Sequence, residues 1–467
     1  MADWSRRGRP LATVLATVVL IAVVFGPAVI RPFASDHLWY LADLGADRSL
    51  LGALSVIDYS VMRTYWTGDL PMFRPLTYVW FALEQSWWGT DHVRWNLTGL
   101  VLHGAVVMAA YRLMRRTRDS WGTVLIALVI AVPMPAMEMV LWTNTSGFVW
   151  ATGCLVVGLT ALRDRHLTPW TFAMTAAVFL AEFCVPVAAL GALIWRRRVA
   201  WLPVVAYGIA YAGHVWLVQS RIGSVEGFSE TASLDWLVRV VPRLPIVFSG
   251  WLYQGVVPGV VELSAEPYER FRLTVLQPGD ISVQAGLVLI ALAVFWPAWR
   301  GLRDRLRHES AWSVPVALTL MLLVCCLGRR QSELLSNSYY LYPFWVLGWT
   351  AAYALMPSTA SWTIRRRLAA RAVVAAYIGA HSLAAWRVSD QVALTHTAAH
   401  RYLQDIRARV AALPPGAVLA MSDLPSALDP EVLLVSEDAE QARADRPTVT
   451  EIVFAPHIVR RAPPTAR

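Results

Sequence analysis

The sequence has few charged residues. Only 16% of its 467 residues are charged, whereas 57% are hydrophobic and the mean hydropathy is +0.47. A chain with so little charge cannot cover a water-exposed surface. The composition therefore excludes an ordinary soluble domain and is typical of a polytopic membrane protein.

Cysteine, lysine and the common ligand-binding motifs are also scarce or absent. The four cysteines lie in apolar segments without metal-ligand spacing, so we expect packing residues and no disulfides: Cys154, Cys184, Cys325 and Cys326. There is no Gly-rich phosphate loop, zinc finger or basic DNA-binding helix, and no nucleic-acid partner is predicted. Because lysine is absent, all 41 basic side chains are arginine, and this richness in arginine and tryptophan indicates a high-GC bacterium.

Long apolar segments dominate what is present. Most are close to the length that crosses ~30 Å of hydrocarbon as a helix, and the candidate at 148–162 is short. The candidate spans are 11–30, 97–114, 121–139, 148–162, 199–218, 282–299, 311–328, 341–356 and 368–386, with two further apolar stretches at 170–195 and 236–262. They predict an all-α bundle of about 9–13 transmembrane or re-entrant helices. The first span has no small-residue cleavage site and is expected to remain as an anchor.

Arginine clusters predict the orientation of the spans. They lie at 6–9, 112–118, 163–165, 196–198, 300–307 and 365–371. The positive-inside rule places these clusters and the N-terminus in the cytoplasm of a bacterial inner membrane. The net charge of +9 is then explained by loops that face anionic lipid headgroups.

The stretch 170–195 has arginines at both ends, so both ends would be cytoplasmic. A re-entrant pair of short helices, with Glu182 and Pro186 near its tip, satisfies this constraint. The stretch 236–262 is interrupted by prolines and is predicted to dip in from outside. The alternative for both stretches is one ordinary span with a local failure of the charge rule.

The composition predicts two domains. Residues 1–389 form the membrane domain, and residues 390–467 form a small α/β domain that lies outside, because the number of predicted crossings is odd. Asp405 lies in a predicted amphipathic helix, and the predicted strands are 418–421, 432–435 and 452–454. We expect this domain to have an accessory role.

The first external loop, 31–96, carries acidic, basic and aromatic residues. Asp36 lies at its start, just after the first span. Leu76 to Trp88 is apolar and aromatic but contains Glu84 and Gln85, which indicates an interfacial helix that could wall a groove open to lipid. Asp36 is either a functional carboxylate or a solvated loop residue that caps a helix.

Other polar residues within or beside the spans are further candidates, because ionisable groups in hydrocarbon are costly and are usually kept for a function or a partner. His103 is either a ligand or a hydrogen-bonded packing residue. Glu138 is either a functional carboxylate or one at the membrane surface, and Arg221, Arg329 and Arg330 are either phosphate ligands or interfacial anchors. The remaining candidates are Trp142, Glu182 and Tyr340.

Several short motifs occur in a characteristic order. They are Phe73-Arg74-Pro75-Leu76, Trp88-Gly89, Leu102-His103, the Pro135 to Trp142 element with Glu138, Ala181-Glu182 with Pro186, and Ser338 to Pro343 with Tyr340. Together they resemble the membrane glycosyltransferases of the GT-C class. The resemblance is to bacterial relatives of the protein O-mannosyltransferases that carry tetratricopeptide repeats in eukaryotes, and this chain lacks those repeats.

The resemblance implies transfer of a sugar from a polyprenyl-phosphate carrier to an acceptor hydroxyl outside the membrane, by an inverting single displacement. Asp36 would be the general base, and Arg74 or the pair Arg329 and Arg330 would neutralise the departing phosphate. The other candidates listed above would orient these groups, the sugar or the prenyl chain.

The sequence also departs from the family pattern. One acidic residue, Asp36, stands where the family often has two, and Ala181 replaces a frequent lysine. Some relatives use a divalent cation at the acidic site, so a cation is left open here, although no octahedral carboxylate set is visible.

Two other classes of membrane protein would use charged residues in similar positions. A transporter or flippase for a lipid-linked saccharide would usually show an internal repeat of spans, and none is found. An enzyme similar to the O-antigen polymerases or ligases would carry its key arginines in a large late external loop, whereas the large loop here is the first one.

Overall fold

The computed structural model describes residues 2–30, 73–89, 91–117, 120–133, 140, 146–222, 341–355, 362–412, 418–419 and 458–459. Its helices are α1 (Ala2–Phe25), α2 (Pro75–Trp88), α3 (His92–Thr117), α4 (Trp121–Ala131), α5 (Ser146–Arg163), α6 (Leu167–Leu180), α7 (Val185–Trp195), α8 (Leu202–Ile222), α9 (Leu341–Leu355) and α10 (Ile364–Ala411). Short 3₁₀ turns cover Gly26–Ile30, Glu182–Cys184 and Arg198–Trp201, and two short strands are β1 (Val418–Leu419) and β2 (Ile458–Val459).

Five of the described helical segments are long and apolar enough to cross a membrane. They are Pro10–Ile30, His92–Arg116, Ser146–Arg163, Arg198–Trp216 and Ile364–Asp390. They confirm the spans predicted at 11–30, 97–114, 148–162, 199–218 and 368–386, and the chain is a multi-pass membrane protein. The spans predicted at 282–299 and 311–328, and the stretch 236–262, lie outside the described residues.

The span predicted at 121–139 is wrong in its length, because α4 ends at Ala131. Val132 leaves the helical region with φ −119° and ψ 75°. Pro133 follows, and a proline disfavours helical backbone in the residue before it. An 11-residue helix is only about 17 Å long, too short to cross the membrane alone.

The stretch 170–195 forms a hairpin of two short helices, α6 and α7. The ring of Trp170, in the first turn of α6, lies 6.4 Å from the ring of Trp195 at the end of α7. Gly191 permits this approach, since a Cβ there would stand only 2.6 Å from the Trp170 ring. Glu182 occupies the turn, as the sequence predicted. The placement of the hairpin in the membrane stays a prediction.

The interior of the bundle is formed by α3 and α5. Helix α3 packs against α1, α2, α4, α5 and α9, and α5 also packs against α6 and α9. Helix α8 packs on α6, while α10 packs on α1 and α4. Large apolar side chains on the outer faces of α1, α8 and α10 are exposed, as expected for helices that contact lipid.

Helix α10 runs for 48 residues, about 72 Å, which is more than twice the hydrocarbon thickness. It continues without a break past residue 390, where the sequence predicts a domain boundary, and it includes the predicted amphipathic helix near Asp405. The division into domains stays a prediction. Strands β1 and β2 pair in parallel, with Val418 opposite Ile458. The predicted strands 432–435 and 452–454 lie outside the described residues.

Helix α2 is held by the packing of its neighbours. Pro75 starts it in the first turn, where the missing N–H costs nothing, and Gly89 ends it with φ 56°. With 14 residues it is about 21 Å long, and it packs on α3, α5 and α6. It matches the helix predicted at 76–88, and its interfacial position in the membrane stays a prediction.

Candidate functional site

An arginine and a glutamate from distant parts of the chain form a two-pronged ion pair. Arg74 Nε donates to Glu182 Oε2 at 2.6 Å, and Arg74 Nη2 donates to Glu182 Oε1 at 2.5 Å. The two side chains retain 12% and 23% of their exposure. Arg74 directly precedes α2, and Glu182 lies in the turn of the α6–α7 hairpin. The packing of these elements therefore creates the pair.

Aromatic rings cover one side of the pair. The guanidinium carbon of Arg74 lies 4.6 Å from the centre of the Phe148 ring, within cation–π range. Phe148 in turn stacks on Phe183, with ring centres 5.4 Å apart. Phe183 follows Glu182 directly, so the same turn supplies both the carboxylate and part of the aromatic wall.

Helix α8 supplies a second group of rings. Phe73, the residue before Arg74, lies 5.8 Å from Tyr207, 6.4 Å from Tyr211 and 4.9 Å from His214. The Tyr207 hydroxyl donates to the Phe73 carbonyl at 3.4 Å. Tyr207, Tyr211 and His214 are spaced four and three apart, so they share one helix face. We name this group, with Arg74, Glu182 and Phe148, the aromatic–arginine site.

Thr77 fixes α2 against the hairpin. Its hydroxyl donates to the Leu180 carbonyl at 2.8 Å, which satisfies one of the acceptors left open at the end of α6. Gly147 of α5 lies against the same threonine, and a Cβ at Gly147 would collide with the Thr77 side chain. Helix α2, which follows Arg74 directly, is therefore in close contact with both α6 and α5.

A second carboxyl on α2 is fully buried. Glu84 has no exposed surface, and the Ser146 hydroxyl and the Trp80 indole face it. None of these three groups makes a hydrogen bond of normal geometry within the described part of the chain. Burial raises the pKa of the Glu84 carboxyl well above its usual range.

His103 lies in the bundle core in a different environment. Its Nδ1 is 2.7 Å from the Tyr342 hydroxyl, and its Nε2 is 3.0 Å from the Ala131 carbonyl. Because a carbonyl only accepts, Nε2 carries the hydrogen, and Nδ1 of a neutral ring accepts from Tyr342. The ring is fully buried and meets Phe25 edge-on at 6.2 Å. This geometry favours the packing interpretation, and the substrate-binding role stays a prediction.

The structure brings together two of the predicted site residues, Arg74 and Glu182. Asp36, Glu138, Trp142, Arg329, Arg330 and Tyr340 lie outside the described residues, as does the side chain of Arg221. Their roles, and a cation at Asp36, stay predictions. In the described part of the chain, no group of three or more His, Cys, Asp or Glu residues is placed to hold a metal ion.

Sequence reasoning missed Phe148, Tyr207 and Tyr211. The spacing of the two tyrosines on α8 was a visible signal, because residues four apart lie on one helix face. Phe148 has no such signal, since its contact with Arg74 depends on how α5 meets α2.

No protein-family model and no curated protein matches the sequence. In structure, the chain is similar to ArnT from Cupriavidus metallidurans, whose crystal structure contains undecaprenyl phosphate. The match covers 89% of this chain and 83% of the other, with a TM-score of 0.43 and 12% identity.

Proposed function

We propose that this membrane protein is a GT-C glycosyltransferase that moves a sugar from a polyprenyl-phosphate carrier to an acceptor hydroxyl on the extracytoplasmic face. The observation that carries the proposal is the pairing of Arg74 with Glu182 inside the aromatic–arginine site. Both residues belong to motifs that resemble the GT-C class, and the fold brings them into direct contact.

The substrate class agrees with the chemistry of this site. A guanidinium presents N–H donors in a planar fork that suits phosphate oxygens, and Arg74 keeps 12% of its exposure. The partly exposed ring of Tyr211 offers apolar surface for an isoprenoid chain or a sugar face, and the buried rings of Phe73, Phe148 and Tyr207 pack around it and Arg74. A carrier with an anionic phosphate between a sugar and a prenyl chain requires these two kinds of surface side by side.

In the proposed reaction the acceptor oxygen forms a bond to the anomeric carbon while the bond from that carbon to the phosphate oxygen breaks. The phosphate leaves on its polyprenyl carrier with the bonding electrons, and the acceptor proton passes to the Asp36 carboxylate. Attack from the face opposite the phosphate inverts the anomeric centre. Arg74 stabilises the charge that develops on the phosphate, in a site where donors held in place are worth more than in water.

Glu182 has a positioning role in this proposal. Its two bonds to Arg74 fix the plane of the guanidinium and balance its charge before the donor binds. When the donor binds, its phosphate either replaces Glu182 on the guanidinium of Arg74 or binds the guanidinium beside Glu182. A carboxylate at this point also leaves Arg74 less attractive to unrelated anions.

The test is a transfer assay with purified chain in lipid nanodiscs. It would be supplied with a panel of polyprenyl-phosphate sugars and with acceptor material from a deletion strain. Formation of polyprenyl phosphate together with a glycosylated acceptor supports the proposal. Movement of the intact carrier across a vesicle membrane, without cleavage of the sugar–phosphate bond, would instead identify a transporter.

The variant Asp36→Asn tests the proposed base. It keeps the size of the side chain and removes the proton acceptor, so we expect transfer to fall roughly 10²–10⁴-fold. Mass spectrometry of envelope glycans from cells with this variant gives the same comparison in vivo. Full restoration of every glycan that the deletion lacks, by a variant that inserts normally, would contradict the assignment of Asp36.

A further inference from the structure

A basic cavity lies at the other end of the bundle, between the last turns of α3 and α5 and the start of α6. Its volume is about 650 Å³, and its lining includes Arg112, Arg115, Arg116, Val157, Asp164 and His166. We name it the arginine pocket. This volume is within the ~300–1,000 Å³ range of small-ligand sites.

The arginine pocket is separate from the aromatic–arginine site. Phe148 lies in the first turn of α5, and Asp164 follows its last residue. At about 1.5 Å per residue they are about 24 Å apart, close to the thickness of the hydrocarbon core. The two sites therefore lie near opposite membrane surfaces, and the arginine clusters predict that the pocket is on the cytoplasmic side.

Three arginines of α3 give the pocket a positive charge. Arg112, Arg115 and Arg116 are spaced three and four apart and share one face of α3. The lining contains these three arginines and one aspartate. Arg116 forms an ion pair with Asp164, and Arg163 Nη2 donates to the Arg116 carbonyl at 2.9 Å. These bonds join the ends of α3 and α5 and hold the charged rim in place.

The deeper wall of the pocket is apolar. Ala109 and Val157 both line it, and each stands seven positions before one partner of the Arg116–Asp164 pair. Two helical turns correspond to about 10 Å, so these side chains lie further into the membrane than the arginines. Val157 is 48% exposed, so the pocket opens on a surface that contacts lipid.

We propose that the arginine pocket binds the phosphate headgroup of an anionic phospholipid from the adjacent leaflet. The arginines contact the phosphate, and the acyl chains leave along Ala109 and Val157. A soluble phosphate compound would use the arginines but not the apolar wall or the opening towards lipid. Basic pockets between transmembrane helices are suited to such headgroups by charge and position.

The test is native mass spectrometry of the full chain titrated with phosphatidylglycerol or with phosphatidylcholine of the same acyl chains. We expect phosphatidylglycerol to bind more tightly, and its affinity to fall about tenfold or more in the double variant Arg112→Gln with Arg115→Gln. The matched control is Arg366→Gln with Arg367→Gln. It removes the same charge from exposed positions on the same predicted side, and these positions are not in the lining of the pocket. We expect the control to change the affinity less than about twofold.

Three results would overturn the proposal. Equal loss in both double variants would mean a diffuse surface charge, and equal affinity for the two lipids would mean no headgroup site. Binding of glycerol phosphate as tight as that of phosphatidylglycerol would mean a soluble ligand. If the arginine variants do not fold, the variant Val157→Trp tests the proposal in their place. It keeps the charge and fills the apolar wall, so unchanged phosphatidylglycerol affinity would also overturn the proposal.

Discussion

The bundle contains two polar contacts that the sequence marks in the same way, and the structure separates them. Arg74 and Glu182 pair at a partly open surface beneath aromatic rings, with 12% and 23% of their side chains exposed. His103 and Tyr342 bond to each other with no exposed surface, inside an apolar core. Polar residues near membrane spans are kept for function or for a partner, and access to a ligand distinguishes the two cases. The first contact keeps partial exposure, whereas the second joins α3 and α9 inside the core.

Among the residues that the structure describes, Arg74 should give the largest effect on activity when it is removed. We expect Arg74→Ala to lower transfer roughly 10²–10³-fold, the usual cost of losing one preorganised donor to a developing charge. Arg74→Lys keeps the charge but not the planar fork, so its loss should be intermediate. The measurement is the rate of polyprenyl phosphate release by purified protein.

The matched control for this pair is Arg94→Ala. Arg94 pairs with Asp91 at 3.1 Å at the start of α3, but both side chains are well exposed. Exposed ion pairs contribute little, so we expect nearly unchanged activity and stability. Equal losses in Arg74→Ala and Arg94→Ala would remove the special role given to Arg74.

A methyl group between α2 and α5 should disturb the site without touching the ion pair. Gly147→Ala places a Cβ against Thr77, and overpacking of this kind usually costs about 1–3 kcal/mol. We expect a lower unfolding temperature together with reduced transfer, because α2 carries Arg74. Gly208→Ala is the control, since a Cβ there meets no atom within 4 Å. If both alanine variants behave alike, the proposed dependence of the site on this contact is wrong.

The contact between His103 and Tyr342 in the core should affect stability and not transfer. Tyr342→Phe leaves Nδ1 of His103 without its donor, and an unsatisfied buried group costs about 1–3 kcal/mol. We expect a lower unfolding temperature with transfer by the folded fraction close to that of the wild type. A large loss of transfer with unchanged stability would show that His103 and Tyr342 belong to the reaction and not to the packing.

The smallest effect should come from Glu84. Burial raises the pKa of its carboxyl, so the folded protein holds this proton at pH values where the unfolded chain, with a pKa of about 4.3, has lost it. The stability from this protonated group is complete below the unfolded pKa and is lost as the pH rises through the folded pKa. Glu84→Gln removes this loss, so at pH 8 we expect its unfolding temperature to lie above that of the wild type.

The measurement is thermal unfolding of both proteins at pH 5 and pH 8. The advantage of Glu84→Gln should be smaller at pH 5. If the difference in unfolding temperature between the two proteins is the same at pH 5 and pH 8, the pKa of Glu84 does not change on folding.

Much of the helical framework was predictable because its signals are local. Apolar length and flanking arginines predicted the spans that become α1, α3, α5, α8 and α10. The arginines at both ends of 170–195 predicted a turn at Glu182. The end of α4 was missed, although Pro133 was a local signal, because apolar residues continue beyond it. The uninterrupted length of α10 was missed because polar composition after residue 390 does not by itself end a helix.

The sequence predicted two charged residues of the candidate site but not the contact between them. Arg74 and Glu182 were chosen as charged residues in separate motifs, and nothing local indicates that they bond. Phe148 and Thr77 gave no signal, since an apolar residue and a threonine are ordinary in a membrane helix.

The sequence by itself determined that this protein resides in a membrane, where its main spans lie and which ends carry the arginines. These properties follow from the transfer of apolar and charged side chains between water and lipid, which depends on composition along short stretches of chain. Only the tertiary structure decided that Arg74 meets Glu182, 108 positions away, and that Arg116 of α3 pairs with Asp164 beside a cavity that two more arginines of α3 line. Within a bilayer the hydrophobic effect does not select helix partners, so close packing and a few polar contacts decide which helices meet.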